Sequence, residues 1–109
     1  MPSYAAPLQT VQFLLHDVIG MQRLTALPQY SDATQELSNA VLEAAGEFMA
    51  GELFPLNVVG DQKGCVWKDG EVTSPPGFRD AYQNYIAGGW AGLSAPTEFG
   101  GQGLPTVLN

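Results

Sequence analysis

"GGWAGLSAPTEFGGQGLP", residues 88–105, sets three glycines, Gly100, Gly101 and Gly103, between Glu98 and Pro105. A glycine-rich loop invites a phosphate-binding reading, and the residues around it argue against one. The G-x-G-x-x-G spacing is absent, no buried strand precedes it, and no Lys-Ser or Lys-Thr pair follows. Glu98 would also repel a phosphate. The glycines therefore predict positive φ, or a place where another backbone or a ligand comes close. Pro105 suits the first turn of a further helix. "TVLN" by itself is too short to hold that helix, because isolated helices need about 12 residues or more. The sequence reads as stopping where its next helix starts.

Working outward, Pro76 opens a helix with Phe78, Ala81, Tyr82, Tyr85 and Ile86 on one face, ending at Gly88-Gly89. Before it, "CVWKDGEVT" reads as a small hairpin. Asp69-Gly70 is a two-residue turn, Val66 and Val72 flank it, and "SPPG" ends the pairing. Two strands alone are marginal, so the hairpin is expected to lean on the helices through Trp67. The longest helix is expected over Ala33–Phe54, capped from Tyr30-Ser31-Asp32 and about 30 Å long if unbroken. Pro55 should bend or end it, with an extension toward Gly60 or Gly64.

Along that helix, Leu37, Val41, Leu42, Ala44, Ala45, Phe48, Met49 and Leu53 cover more than half the circumference. An apolar stripe so broad implies packing between two layers, more than a chain of this length is expected to supply alone. Glu36, Glu43 and Glu47 share the other face and read as solvated. Nearer the start, "MPSYAAP" is expected to be an extended arm and Leu8–Ile19 an amphipathic helix stopped by Gly20. Phe13 falls on its polar side. A short turn or helix follows at "MQRLTALP".

Composition narrows the possible partners. The chain has 109 residues, 45% of them apolar, and a net charge of -7 from eleven acids against four bases. One domain is the default, and a nucleic-acid backbone or an anionic membrane is disfavoured. "LQTVQFLLHDVIGM" is interrupted by Gln12, His16 and Asp17, well short of the ~18 apolar residues of a membrane span. No signal or transit peptide is legible. The lone Cys65 cannot form an internal disulfide, which fits a reducing, cytoplasmic compartment, and with His16 it makes no zinc set. Cys65 reads as a small residue at a strand start, His16 as a helix-surface or interface residue. No internal repeat is present.

Four segments, in order, resemble the acyl-CoA dehydrogenase family. "GGWAGLSAPTEFGGQGLP" is similar to its N-terminal domain, where Gly-Trp-x-Gly-Leu leads through a Pro and an acidic residue into Gly-Gly-x-Gly-Leu. "LFPLNVVGDQKGC" and "TSPPGFRDAYQNY" resemble further stretches of that domain. "YAAPLQTVQFLLHDVIG" resembles the extra N-terminal segment of a larger subgroup, which includes enzymes acting on 3-methylmercaptopropionyl-CoA and similar thioesters. Gln9 departs from the basic residue common there.

The resemblance implies a mostly α fold: an N-terminal helical, bundle-like domain with one small β-hairpin. Residues 1–30 would be an extension with one amphipathic helix, and 31–109 the helical domain, cut at its next helix. The full enzyme would add a central β domain and a C-terminal bundle, with FAD between them and none held by this chain. There a Glu of the C-terminal part removes the α-proton of an acyl-CoA while the β-hydride passes to the flavin. No acid here would be catalytic, Glu98 included, and no residue would bind cofactor or metal. Phe99, Gly100, Gly101, Gly103 and Leu104 would wall the acyl end of the substrate cavity. Expected partners are the acyl-CoA, the rest of the polypeptide and further copies in a homo-oligomer. The competing expectations are a stand-alone helical interaction module without catalysis and a piece of an acyl-CoA oxidase-like flavoenzyme.

Overall fold

The computed structural model describes residues 2–109; Met1, first residue of the expected arm, lies outside them. The rest of the arm has no regular structure up to Pro7. Helix α1, Leu8–Phe13, runs on as a π-helical turn over Leu14–Ile19, and Gly20 stops it at φ 72° and ψ 50°. Arg23 closes that end. Its Nη2 donates to the Ile19 carbonyl at 2.6 Å, setting a cation at the negative end of the helix. Phe13 stays 56% exposed, as its position on the polar side predicts. Two 3-10 turns, Met21–Ala26 and Pro28–Tyr30, lead on to α2.

Helix α2 spans Gln35–Phe48, starting later than Ala33. Ala33 N–H donates to Tyr30 and Thr34 N–H to Asp32, a tight turn that keeps Ala33 outside the helix and 3% exposed. Thr34 becomes the cap instead of Tyr30-Ser31-Asp32: its Oγ1 accepts from Leu37 N–H at 3.2 Å. The helix is also not a regular α-helix to Phe54. It widens into a π turn over Met49–Leu53, where Phe54 N–H reaches the Met49 carbonyl at 2.8 Å. Pro55 lacks an N–H and crowds the preceding turn, and the wider turn makes room for its ring. The chain restarts as α3, Leu56–Lys63, and ends at Gly64 with φ 61°.

Strands β1, Val66–Lys68, and β2, Glu71–Thr73, pair antiparallel with Trp67 opposite Val72. Asp69 and Gly70 take φ 53° and 83°, the left-handed pair of a type I′ turn. The expected contact of Trp67 with the helices is absent in its burial: the side chain is 71% exposed, and both strands are exposed throughout. Turn geometry and cross-strand pairing hold this hairpin, with no apolar face covered. Helix α4, Phe78–Ala87, begins two residues beyond Pro76, because Gly77 takes the cap position at φ 86°. Of its expected apolar face only Ala81 is buried, while Tyr82 and Ile86 are 60% and 47% exposed. The fold is mostly α with this one hairpin.

One buried cluster joins the two ends of the sequence: Leu15, Met21 and Ala33 with Leu93, Leu104 and Leu108. Helix α2 touches the N-terminal segment through Gly46, where an added Cβ would lie 3.2 Å from Ala6 Cβ and 3.6 Å from Leu8 Cδ2. His16 Nε2 also lies 2.8 Å from Asn39 Oδ1, tying the π turn to α2 and making His16 an interface residue. The shape is a slab of 55 × 37 × 17 Å. Its radius of gyration is 17.2 Å, against about 13 Å for a globular domain of this length. It exposes 7816 Å², roughly 2,000 Å² more than a folded monomer of its mass.

Two outcomes test this account. Thr34→Ala removes the α2 cap and should cost about 1 kcal/mol, read as a lower thermal midpoint, whereas Thr34→Ser should hold it. Gly46→Leu should drive the N-terminal segment off α2 at about 1–3 kcal/mol. Hydrogen exchange over residues 4–16 should then rise before exchange in the hairpin does.

Candidate functional site

The glycine-rich segment doubles back on itself. Gly101 N–H donates to the Pro96 carbonyl at 3.1 Å, Gln102 to Gly92 at 2.9 Å, Gly103 to Ala95 at 2.9 Å and Leu104 to Leu93 at 2.9 Å. Gly101 sits so near Ala95 that a Cβ there would overlap the Ala95 carbonyl group and methyl. Gly100 and Gly103 take φ 84° and 65°, the left-handed conformation that lets the turn reverse. The close approach is thus first of backbone to backbone. Gln102 Nε2 reaches back to the Gly89 carbonyl at 3.4 Å, and Asn109 Nδ2 to Ser94 Oγ at 2.7 Å.

This bonding decides what the loop can hold. The N–H groups of residues 99–104 are spent on carbonyls of residues 92–97, so no nest of free donors faces outward for a phosphate. Glu98 keeps a negative charge beside them. The segment does not suit the diphosphate of a flavin dinucleotide. Among the described residues, no three of His, Cys, Asp or Glu converge as a metal site, and no helix is long and apolar enough to cross a membrane.

The five residues singled out in the sequence do not share one surface. Gly103 and Leu104 line a cleft of about 490 Å³ whose other wall is Gln29, Tyr30, Asp32 and Ala33. Leu104 is 9% exposed and also belongs to the buried cluster. Gly101 is enclosed by the reversed chain, and Gly100 is exposed with open space where a Cβ would stand. Phe99 projects outward at 80% exposure.

A second concavity was legible only as the excess width of the α2 stripe. Leu42, Phe48, Met49, Tyr85, Trp90 and Leu108 line an open apolar groove of about 420 Å³ between α2, α4 and the C-terminal segment. The Phe48 ring lies 6.1 Å from Trp90 and 6.4 Å from Tyr85, both tilted. One side of α2 packs on the N-terminal segment at Gly46, and the other, with Phe48 facing Tyr85 and Trp90, is only partly covered among the described residues. Glu52, in the π turn after α2, accepts a hydrogen bond from Asn84 Nδ2 of α4 at 2.9 Å.

No family model matches the chain. It is 34% identical over 106 residues to the 3-methylmercaptopropionyl-CoA dehydrogenase of Ruegeria pomeroyi (strain ATCC 700808 / DSM 15171 / DSS-3), a match covering 97% of this chain and 18% of that protein. The chain thus spans under a fifth of that relative's length. This likeness over nearly the whole chain is consistent with an N-terminal domain of an acyl-CoA dehydrogenase.

Proposed function

We propose that this chain is the N-terminal helical domain of an FAD-dependent acyl-CoA dehydrogenase, which desaturates an acyl-CoA thioester between its α and β carbons. The observation that carries the reading is the likeness over 97% of the chain to a dehydrogenase of a thioester. In support, the slab exposes far more surface than its mass requires, and an excess of roughly 2,000 Å² is the area of a sizeable interface. The open groove on α2 belongs to that surface. In this reading residues 1–30 are an extension and 31–109 the helical domain, and the chain's first role is to pack against the rest of its own polypeptide.

Its second role is to wall the acyl end of the substrate cavity with the loop Phe99, Gly100, Gly101, Gly103 and Leu104, of which Gly103 and Leu104 line the cleft, Gly101 holds the reversal behind them, and Phe99 and Gly100 face outward to the rest of the polypeptide. These groups exclude water and fix a shape; none of them moves a proton. The flavin accepts the hydride in such an enzyme, and its diphosphate has no seat on this loop, where the backbone donors are already committed. Flavin and base alike belong to protein outside these 109 residues. The whole enzyme is read as a cytoplasmic homo-oligomer.

The test uses the complete polypeptide that carries this stretch. Purified with its flavin, it should reduce a dye in the presence of an acyl-CoA, with 3-methylmercaptopropionyl-CoA, butanoyl-CoA and octanoyl-CoA as probes. No turnover of any of the three, with flavin bound, would refute the dehydrogenase reading. Gly101→Val, which cannot be seated against Ala95, should lower kcat/KM for acyl-CoA by at least about tenfold, roughly 1.4 kcal/mol, and leave flavin content near that of the unaltered protein. An unchanged rate would remove the loop from the cavity wall.

A further inference from the structure

Residues 89–104 form a unit whose main-chain bonds are its own. Beyond the α4 carbonyl that receives Gly89 N–H, every carbonyl accepting from Gly92 and from residues 99–104 lies between Gly89 and Thr97. Side-chain bonds follow the same rule: Gln102 to Gly89 and Asn109 to Ser94 stay within the C-terminal segment. Hydrogen bonds therefore shape the unit without setting where it stands. Its placement comes from apolar packing, where Leu93, Leu104 and Leu108 share the buried cluster with Leu15, Met21 and Ala33.

Within that cluster Met21 is the largest fully buried side chain, 2% exposed. The left-handed turn at Gly20 and the Arg23 bonds to Ile19 and Gly20 fix the backbone on either side of it. Ala33 and Leu104 belong both to this cluster and to the two opposing walls of the 490 Å³ cleft. Met21 shares this cluster with a residue of each wall. We infer that Met21 is a positioning residue: it sets the distance between the Gln29–Ala33 wall and the Gly103–Leu104 wall, and through it the length of acyl group the enzyme prefers. The selectivity part rests on the reading of the loop as the acyl-end wall. A thioether at this point is adaptable, and its loss opens a cavity into which neighbouring elements settle.

The experiment compares the complete flavin-loaded polypeptide with its Met21→Ala and Met21→Leu variants. Crystal structures give the Ala33-to-Leu104 separation, and kinetics give the ratio of kcat/KM for octanoyl-CoA to that for butanoyl-CoA. In Met21→Ala the separation should change while the bonds among residues 92–104 persist. The ratio should shift about tenfold, the discrimination carried by a methylene-sized change in an apolar pocket, and Met21→Leu should restore both. A uniform fall for both thioesters, with the ratio fixed, is what a merely structural role would produce and overturns the selectivity part. An unchanged separation in Met21→Ala overturns the positioning role whatever the kinetics. A changed separation with a fixed ratio overturns the reading of the loop as acyl-end wall. If Met21→Ala does not fold, Met21→Val carries the same comparison with a smaller loss of volume.

Discussion

The structure depends on one steric fact: at Gly101 the chain lies against Ala95 so closely that no side chain fits between them. This approach allows residues 99–104 to exhaust their N–H groups on the strand of backbone just before them. Once that reversal is made, Leu93 and Leu104 are brought together by a direct backbone bond, and Leu108 follows after one 3-10 turn. These leucines are half of the buried cluster. The other half comes from residues 15–33, so the glycines near one end of the sequence decide how its opposite end is packed.

The rest of the molecule is thin. Of the residues in α2 only Ser38 and Gly46 are fully buried, the first by bonding its hydroxyl to the Thr34 carbonyl at 2.8 Å, the second by admitting the N-terminal segment. The large apolar side chains of the same helix border an open groove. A helix apolar over more than half its circumference has to be covered on two sides, and here the groove side stays partly open. Hydrophobic burial scales with the area removed from water, so the open groove contributes less to stability than a covered face of the same residues would.

The chemistry is distributed accordingly. The chain offers shape and apolar surface, and the polar side chains that do form hydrogen bonds serve capping, turn closure and helix-to-helix ties. Thr34 caps α2, Arg23 caps the first helical segment, and His16 meets Asn39. Such an inventory suits the proposed reading, in which this chain supports a reaction carried out by groups elsewhere in a longer enzyme.

Features that depend on a few neighbouring residues were legible from the sequence. Gly20 stops a helix, Asp69-Gly70 makes a left-handed two-residue turn, and Pro55 breaks the regular course of the long helix, each for a steric reason contained in the residue itself. The motif around Gly100, Gly101 and Gly103 likewise marked positive φ and a close backbone approach, and a likeness to a dehydrogenase. Tertiary structure alone decided the rest. Whether Trp67 packs or stands free turns on where the hairpin projects, which no periodicity encodes. Thr34 displaced the earlier caps because Ala33 is drawn into a cluster built by distant residues. The gathering of Met21 and Leu104 into one cluster across more than eighty positions arises from packing, since apolar burial is non-directional and leaves no local mark on which residues will meet.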